Sequence, residues 1–279
     1  MDKAHRQTDR LLAGLELALR KMYSKAFIEL KKQVKTTLFD MDLSAEQSPL
    51  DRYRKAQKYG RLNKIEKEFT EELNKVNKEA VRMVNSEMLN VYKTNYKAGI
   101  DNLAVLLAIS IPNKFEKTPT NTDIKEEEQS PLNEIALDDV KDIYELRKAV
   151  NRQFITGIMK GERPDELVAR LSKITELKLS DITRIARTQT TRLENMARLD
   201  AYGVGKKMGY RMVKKWVCVN DHKTREAHKN ADGQTVEIDK PFIVDGEELM
   251  HPGDQAGSAG NVINCRCFMI TGIEKQKKS

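Results

Sequence analysis

Cysteine, aromatic residues and long apolar runs are all scarce in this chain, and each scarcity excludes something. Three cysteines in 279 residues cannot build a disulfide scaffold, and a small odd number suits a reducing compartment. Aromatic residues make up 6% and tryptophan occurs once, so no large aromatic core is expected. No apolar run reaches the ~18 residues that a membrane-spanning helix needs; the longest, over 103–111, is interrupted by Ser110. The opening residues Met1-Asp2-Lys3-Ala4-His5-Arg6 are charged, with no apolar stretch behind them, the pattern expected without a secretory signal. Catalytic signatures are missing too: there is no GxSxG, no P-loop, no GxGxxG and no HExxH.

What is present is charge. Charged residues make up 33% and apolar ones 39%, respectively above and below the globular average. Fifty basic against forty-two acidic side chains give a net charge of +8 and a pI near 9.2. The spread is uneven. Residues 1–110 and 141–279 are basic, whereas 111–140 hold eight carboxylates against three amines, together with Pro112, Pro119 and Pro131. Prolines beside an acidic run signal a linker or long loop. The chain therefore divides into a helical region over 1–111, a linker over 112–134 and a third region over 135–279.

In the first region apolar residues recur every three to four positions. Leu11-Leu12, Leu15, Leu19, Tyr23 and Phe27 form one series; beyond a break at Ser48-Pro49 come Ile65, Phe69, Leu73, Val76, Ala80, Val84 and Met88. That spacing marks one face of a long amphipathic helix. Such a stripe needs a partner, either another chain or a bundle within this one. The third region also starts with helices: over 137–158, over 165–171 with Pro164 near its start, and from a cap at Ser180-Asp181 to about Tyr202, where Gly203 and Gly205 end it. From Tyr210 the period drops to two. Strands are expected over 210–219, 234–238 and 262–270, with a short helix over 221–229. A hairpin is expected over 242–250 on the Asp245-Gly246 turn. The expected fold class is α+β, long helices first, then a helical segment leading into a small β-rich module from about residue 210.

All three cysteines and three of the four histidines fall between 218 and 267: Cys218, His222, His228, His251, Cys265 and Cys267. Thiolate and imidazole suit zinc, which takes four ligands in a tetrahedron. In a strand, Cys265 and Cys267 point to the same side and can offer two thiolates to one ion. The further ligands would come from Cys218, His222, His228 or His251. A β-rich module this poor in apolar residues gains from a structural metal. A metal-free reading stands beside it, with Cys265 a small buried apolar residue and His228 a hydrogen-bonding group on a short helix. Catalytic alternatives are a nucleophile pair of Cys265 with His228, and a divalent-ion site on Asp221 and Glu226.

Between 187 and 229 basic side chains far outnumber acidic ones. Arg187, Arg192, Lys206, Lys207, Arg211, Lys214 and Lys215 are the candidates for contacting DNA phosphates. Such binding would be salt-dependent and not sequence-specific, since no base-reading motif accompanies it. The alternative is an ordinary solvated surface.

Read in order, the third region carries a long series: Ala186-Arg187-Thr188-Gln189-Thr190, Lys215-Trp216, Asp221-His222-Lys223-Thr224-Arg225-Glu226-Ala227-His228, Asp232-Gly233-Gln234, His251-Pro252-Gly253-Asp254 and Asn264-Cys265-Arg266-Cys267. It resembles the phage head morphogenesis family, the Mu F-like minor head proteins of tailed bacteriophages, over about 140–270. The family's arginine two positions after the aspartate is Lys223 here, and Cys218 lies outside the pattern, so its candidacy rests on composition. The resemblance implies a capsid assembly protein of a phage or prophage, without turnover. It would bind the portal and the major capsid or scaffolding protein, with double-stranded DNA as a further contact and no membrane role. It would act in the host cytoplasm during assembly and end inside the virion head. The expected structural zinc ligands are His228, Cys265, Cys267 and Cys218. Trp216 is the expected apolar anchor, Asp221 the acceptor at the start of the short helix, and Arg225 a fork onto Asp221 or Asp254. The alternative from another class is a metal-dependent nuclease or peptidase carried in the head.

Overall fold

A computed structural model describes residues 3–39, 48–58, 60–116 and 139–274. The linker expected over 112–134 lies outside the described residues from 117 onward. The order of elements is α1 (Lys3–Phe39), α2 (Pro49–Lys58), α3 (Arg61–Leu107), α4 (Asn113–Glu116), α5 (Asp139–Lys160), α6 (Pro164–Lys207), β1 (Met212–Val217), α7 (Glu226–Ala231), β2 (Thr235–Glu237), β3 (Phe242–Val244), β4 (Glu247–Leu249), α8 (Ala259–Val262) and β5 (Phe268–Ile273). The fold is α+β, as the sequence implies.

Three of the helices are long, 37 residues in α1, 47 in α3 and 44 in α6. α6 unites the two helices expected over 165–171 and 182–202. Ser180-Asp181 is a local cap signal worth about 1 kcal/mol. Ile174, Ile182 and Ala186 are buried on either side of it, and continuous burial of that stripe outweighs the cap. Nor do Gly203 and Gly205 stop the helix. It closes past Lys207, where the Gly209 N–H donates to Lys206 O and the Tyr210 N–H to Gly205 O.

The chain packs into two compact units, one of residues 16–83 and 134–183, the other of 1–15, 84–133 and 184–279. α1, α3 and α6 each contribute residues to both units. The first unit is helical. Its core is the periodic stripe itself, with Leu19, Tyr23 and Leu30 of α1, Phe69 and Leu73 of α3, Val150 and Phe154 of α5, and Leu167 of α6 all buried. The amphipathic faces are thus covered within this chain. Few polar groups join in. The Tyr23 hydroxyl donates to Asn77 Oδ1 at 2.8 Å, and the Arg52 guanidinium donates to the Ile158 and Met159 carbonyls at 3.2 and 2.9 Å, at the end of α5.

The second unit carries the sheet. β1 lies between β2 and β5, antiparallel to both. Trp216 stands opposite Met269, and Val217 opposite Phe268. Alternation along β1 turns Met212, Lys214 and Trp216 to the buried side. β3 and β4 form a separate hairpin. At its turn Asp245 and Gly246 both have positive φ, 52° and 78°, the geometry that a type I′ turn requires and that glycine accepts without steric cost. Two boundaries differ from expectation. The short helix starts at Glu226, because residues 221–224 close a turn of their own, with the Thr224 N–H on Asp221 O at 3.1 Å. The last strand starts at Phe268, so Cys265 and Cys267 precede the ladder. Asn264 turns the chain with φ 56°, and the carbonyls that follow are taken by α6 side chains instead of a neighbouring strand.

Candidate metal centre

The site is built on one face of α6. Thr188, Thr191, Asn195 and Arg198 recur at spacings of three, four and three, which places them in a row along a helix. Each meets the segment 264–269 at a successive point. Thr188 Oγ1 accepts the Asn264 N–H at 3.1 Å, and the Thr191 hydroxyl donates to Cys265 O. The Asn195 amide donates to Cys267 O at 3.1 Å and accepts the Met269 N–H at 2.9 Å. Arg198 donates to Met269 O at 3.2 Å. Backbone groups that would otherwise be buried without partners are thereby satisfied.

Behind this row lies a buried polar network. Glu194 Oε1 accepts from Arg198 at 2.9 Å and stands 2.8 Å from His5 Nδ1. Arg198 Nε reaches Asn95 Oδ1 at 3.3 Å, and the Asn95 amide donates to Thr8 Oγ1 at 2.8 Å. The His5 ring stacks on Phe268, centroids 4.2 Å apart. Burial pulls the His5 imidazole down, but the hydrogen bond and charge of Glu194, with Asp9, more than offset it and hold its pKa above the ordinary value.

The segment seated by α6 presents Cys265 and Cys267 to His228 of α7. His228 Nδ1 stands 3.7 Å from Cys265 Sγ and 3.3 Å from Cys267 Sγ. The three ligand atoms all lie within 4.8 Å of one another, and each residue is only 2% exposed. The Cys267 N–H donates to Cys265 Sγ at 3.4 Å. A hydrogen bond from Cys267, helped by His228, lowers the Cys265 pKa well below a free thiol's, while the same partner and burial raise that of Cys267. His228 stands edge-on to Trp216 at 5.8 Å, and Trp216 edge-on to Phe242 at 5.3 Å. Trp216 is fully buried, the apolar anchor that the sequence suggests.

Cys218 does not join this group. It is buried beyond the end of β1, where its N–H donates to Asp232 Oδ1 at 2.9 Å. His251 is buried too, its Nδ1 3.1 Å from Pro252 O, and His222 is exposed. Arg225 differs from expectation: its guanidinium donates to Ile263 O, and it N-caps α7 through the backbone with no side-chain bond. Arg266 of the Cys-Arg-Cys motif forks onto Asp221 instead, at 2.6 and 2.5 Å. That fork above all holds the Asp221 carboxyl well below the usual carboxylate range. Asp221 also accepts the Lys223 N–H at 2.9 Å, so it braces its turn and not the start of α7. Asp254 accepts the Met250 and Ala256 N–H groups at 2.7 and 3.0 Å. Next to it, Gly253 sits at φ 78°, where a Cβ would meet Arg192 N at 3.0 Å. Glycine lets the Pro-Gly-Asp loop back onto α6.

The basic candidates separate into two sets. Arg187, Lys206, Lys207, Arg211 and Lys215 are exposed. Lys206 pairs with Asp239 at 2.8 Å and Arg211 with Glu274 at 3.5 Å. Arg192 and Lys214 are buried and cannot reach a phosphate. Lys214 shares the inner face of β1, where Nζ donates to Met250 O at 2.7 Å and lies 5.1 Å from the Phe242 ring. Burial pushes its pKa down to about 8 against the pull of Asp254 and Asp239. The alternation along β1 was sufficient to foretell this. The row on α6 had a signal as well, polar residues at helical spacing, whereas nothing local marks His5 as the partner of Glu194.

The sequence comparisons cover the same stretch that builds this centre. Residues 148–270, just under half of the chain, match the family of phage Mu protein F like proteins, which supports the resemblance to phage head morphogenesis proteins. It is 23% identical over 270 residues to the minor head protein GP7 of Bacillus phage SPP1, covering 95% of this chain and 84% of that one. It is 31% identical over 130 residues to NAD(+)–arginine ADP-ribosyltransferase EFV of Enterococcus faecalis, 47% of this chain but only 26% of that protein's length.

Proposed function

We propose that this protein is a minor head component that acts in procapsid assembly and in packaging or delivery of the genome. It binds the portal and the major capsid or scaffolding protein, first in the host cytoplasm and then inside the head. The observation that carries this reading is the extent of the likeness to a minor head protein, nearly end to end in both chains. Exposed Arg187, Lys206, Lys207, Arg211 and Lys215 supply the contact to duplex DNA, through phosphates and without sequence preference.

The role requires no turnover. Asp221 is committed to Arg266, Glu226 is exposed and pairs with Lys229 at 3.3 Å, and no carboxylate joins the His228 group among the described residues. A metal-dependent nuclease or peptidase is the second reading, favoured only by the count of three ligands, which leaves a coordination position for water. The transferase activity in the Enterococcus protein's name is not carried over, since the shared stretch is about a quarter of that protein. The test is co-sedimentation with the purified portal oligomer at low and moderate salt. Association at both is expected, and its absence at both would overturn the proposal.

A further inference from the structure

We propose that His228, Cys265 and Cys267 bind one zinc ion, which ties α7 to the segment that α6 seats. Zinc bonds of ~2.3 Å to sulfur and ~2.0–2.1 Å to nitrogen, set at the tetrahedral angle, put a sulfur and a nitrogen ligand about 3.6 Å apart. The two nitrogen–sulfur separations here are 3.7 and 3.3 Å. These two separations lie close to that spacing.

The donor set specifies the kind of metal. Two thiols and an imidazole, with no carboxylate among them, suit zinc and exclude magnesium and calcium, which take oxygen ligands. His228 Nδ1 faces only the two thiols, which are weak partners for a buried polar group.

The position gives the ion a task. His228 lies 37 residues before Cys265, and two arginine contacts already join the same stretches of chain: Arg225 to Ile263 O and Arg266 to Asp221. The ion is a third tie between these stretches, placed where the other two leave the interior unbridged. Three protein ligands leave one corner for water or a further donor. The proposal is independent of the portal and DNA contacts above.

The test begins with metal analysis of the full chain, expressed with zinc in the medium and purified without chelator. One zinc per chain is expected, and a metal-free protein of normal fold would overturn the proposal. Cys265→Ser and His228→Ala are expected to lose the zinc, while Cys218→Ser keeps it. Equal loss in Cys218→Ser would overturn the three-ligand assignment. Because the first two variants risk misfolding, the intact chain is also loaded with cobalt(II). Sulfur-to-cobalt charge-transfer absorption is expected, and a cobalt spectrum without it would show that no thiolate holds the ion.

Discussion

The helical unit and the sheet-bearing unit are held together by different chemistry. Residues 16–83 and 134–183 bury leucine, valine and aromatic stripes, with polar bonds such as Tyr23 to Asn77 added at intervals. In the other unit, the segment 264–269 is seated by a row of polar side chains on α6: Thr191, Asn195 and Arg198 are buried and hydrogen-bond the backbone of 265–269, and buried Glu194 pairs with Arg198 beside them. An apolar stripe responds by degrees, because volume lost at one site can be partly refilled. A buried polar row has no graded response, because removing one partner strands another without solvent.

The contrast can be broken in several ways, the largest effect first. Arg198→Ala removes the partner of a buried carboxylate and is expected to cost about 3–5 kcal/mol in urea unfolding. A cost near that of a surface substitution, about 0.5 kcal/mol, would mean that the network is ornamental. Leu73→Ala, in the helical unit, is expected to cost about 2–5 kcal/mol, and Leu73→Met less than about 1.5 kcal/mol. If the methionine variant lost as much as the alanine one, the stripe would not be graded.

The two smaller effects are read against pH. His5 is held above its ordinary 6.5, so its contribution is complete below that value and lost as pH rises through the higher folded value. Above pH 6.5 the melting temperature of the parent should therefore fall toward that of His5→Gln, and parallel curves would remove the ion pair with Glu194 from the account. Lys214 is the reverse case. Its pKa is lowered from 10.5 to about 8, so the buried ammonium is a cost that is full below pH 8 and relieved by 10.5. Lys214→Met is expected to melt higher than the parent below pH 8, with the advantage closing as pH approaches 10.5. A lower melting temperature throughout would show that the bond to Met250 O outweighs desolvation.

Much of this arrangement was legible in the amino-acid order. The stripe from Ile65 through Met88 foretold α3, and the Asp245-Gly246 pair foretold its hairpin; of the clustered cysteines and histidines, His228, Cys265 and Cys267 come together and Cys218 stays apart. Local signals failed where tertiary burial competed with them. The Ser180-Asp181 cap lost to the stripe of α6, and Gly203 and Gly205 were carried inside the helix. Partner choice was also beyond the sequence. Asp221 takes Arg266, 45 residues away, and not Arg225 four residues on, because the turn at Asn264 brings Arg266 alongside. Charge counting placed Arg192 and Lys214 among the DNA contacts because it ignores facing, and both are inside.

The polar face of α6 seats the terminal strands. Asn195 is the sharpest probe of that seat, since it both donates to Cys267 O and accepts from Met269 N. Amide hydrogen exchange on Asn195→Leu, a change of similar volume, is predicted to strip protection from β1 and β5 while the amides of α5 exchange as in the parent. Unchanged protection in β1 and β5 would contradict the account.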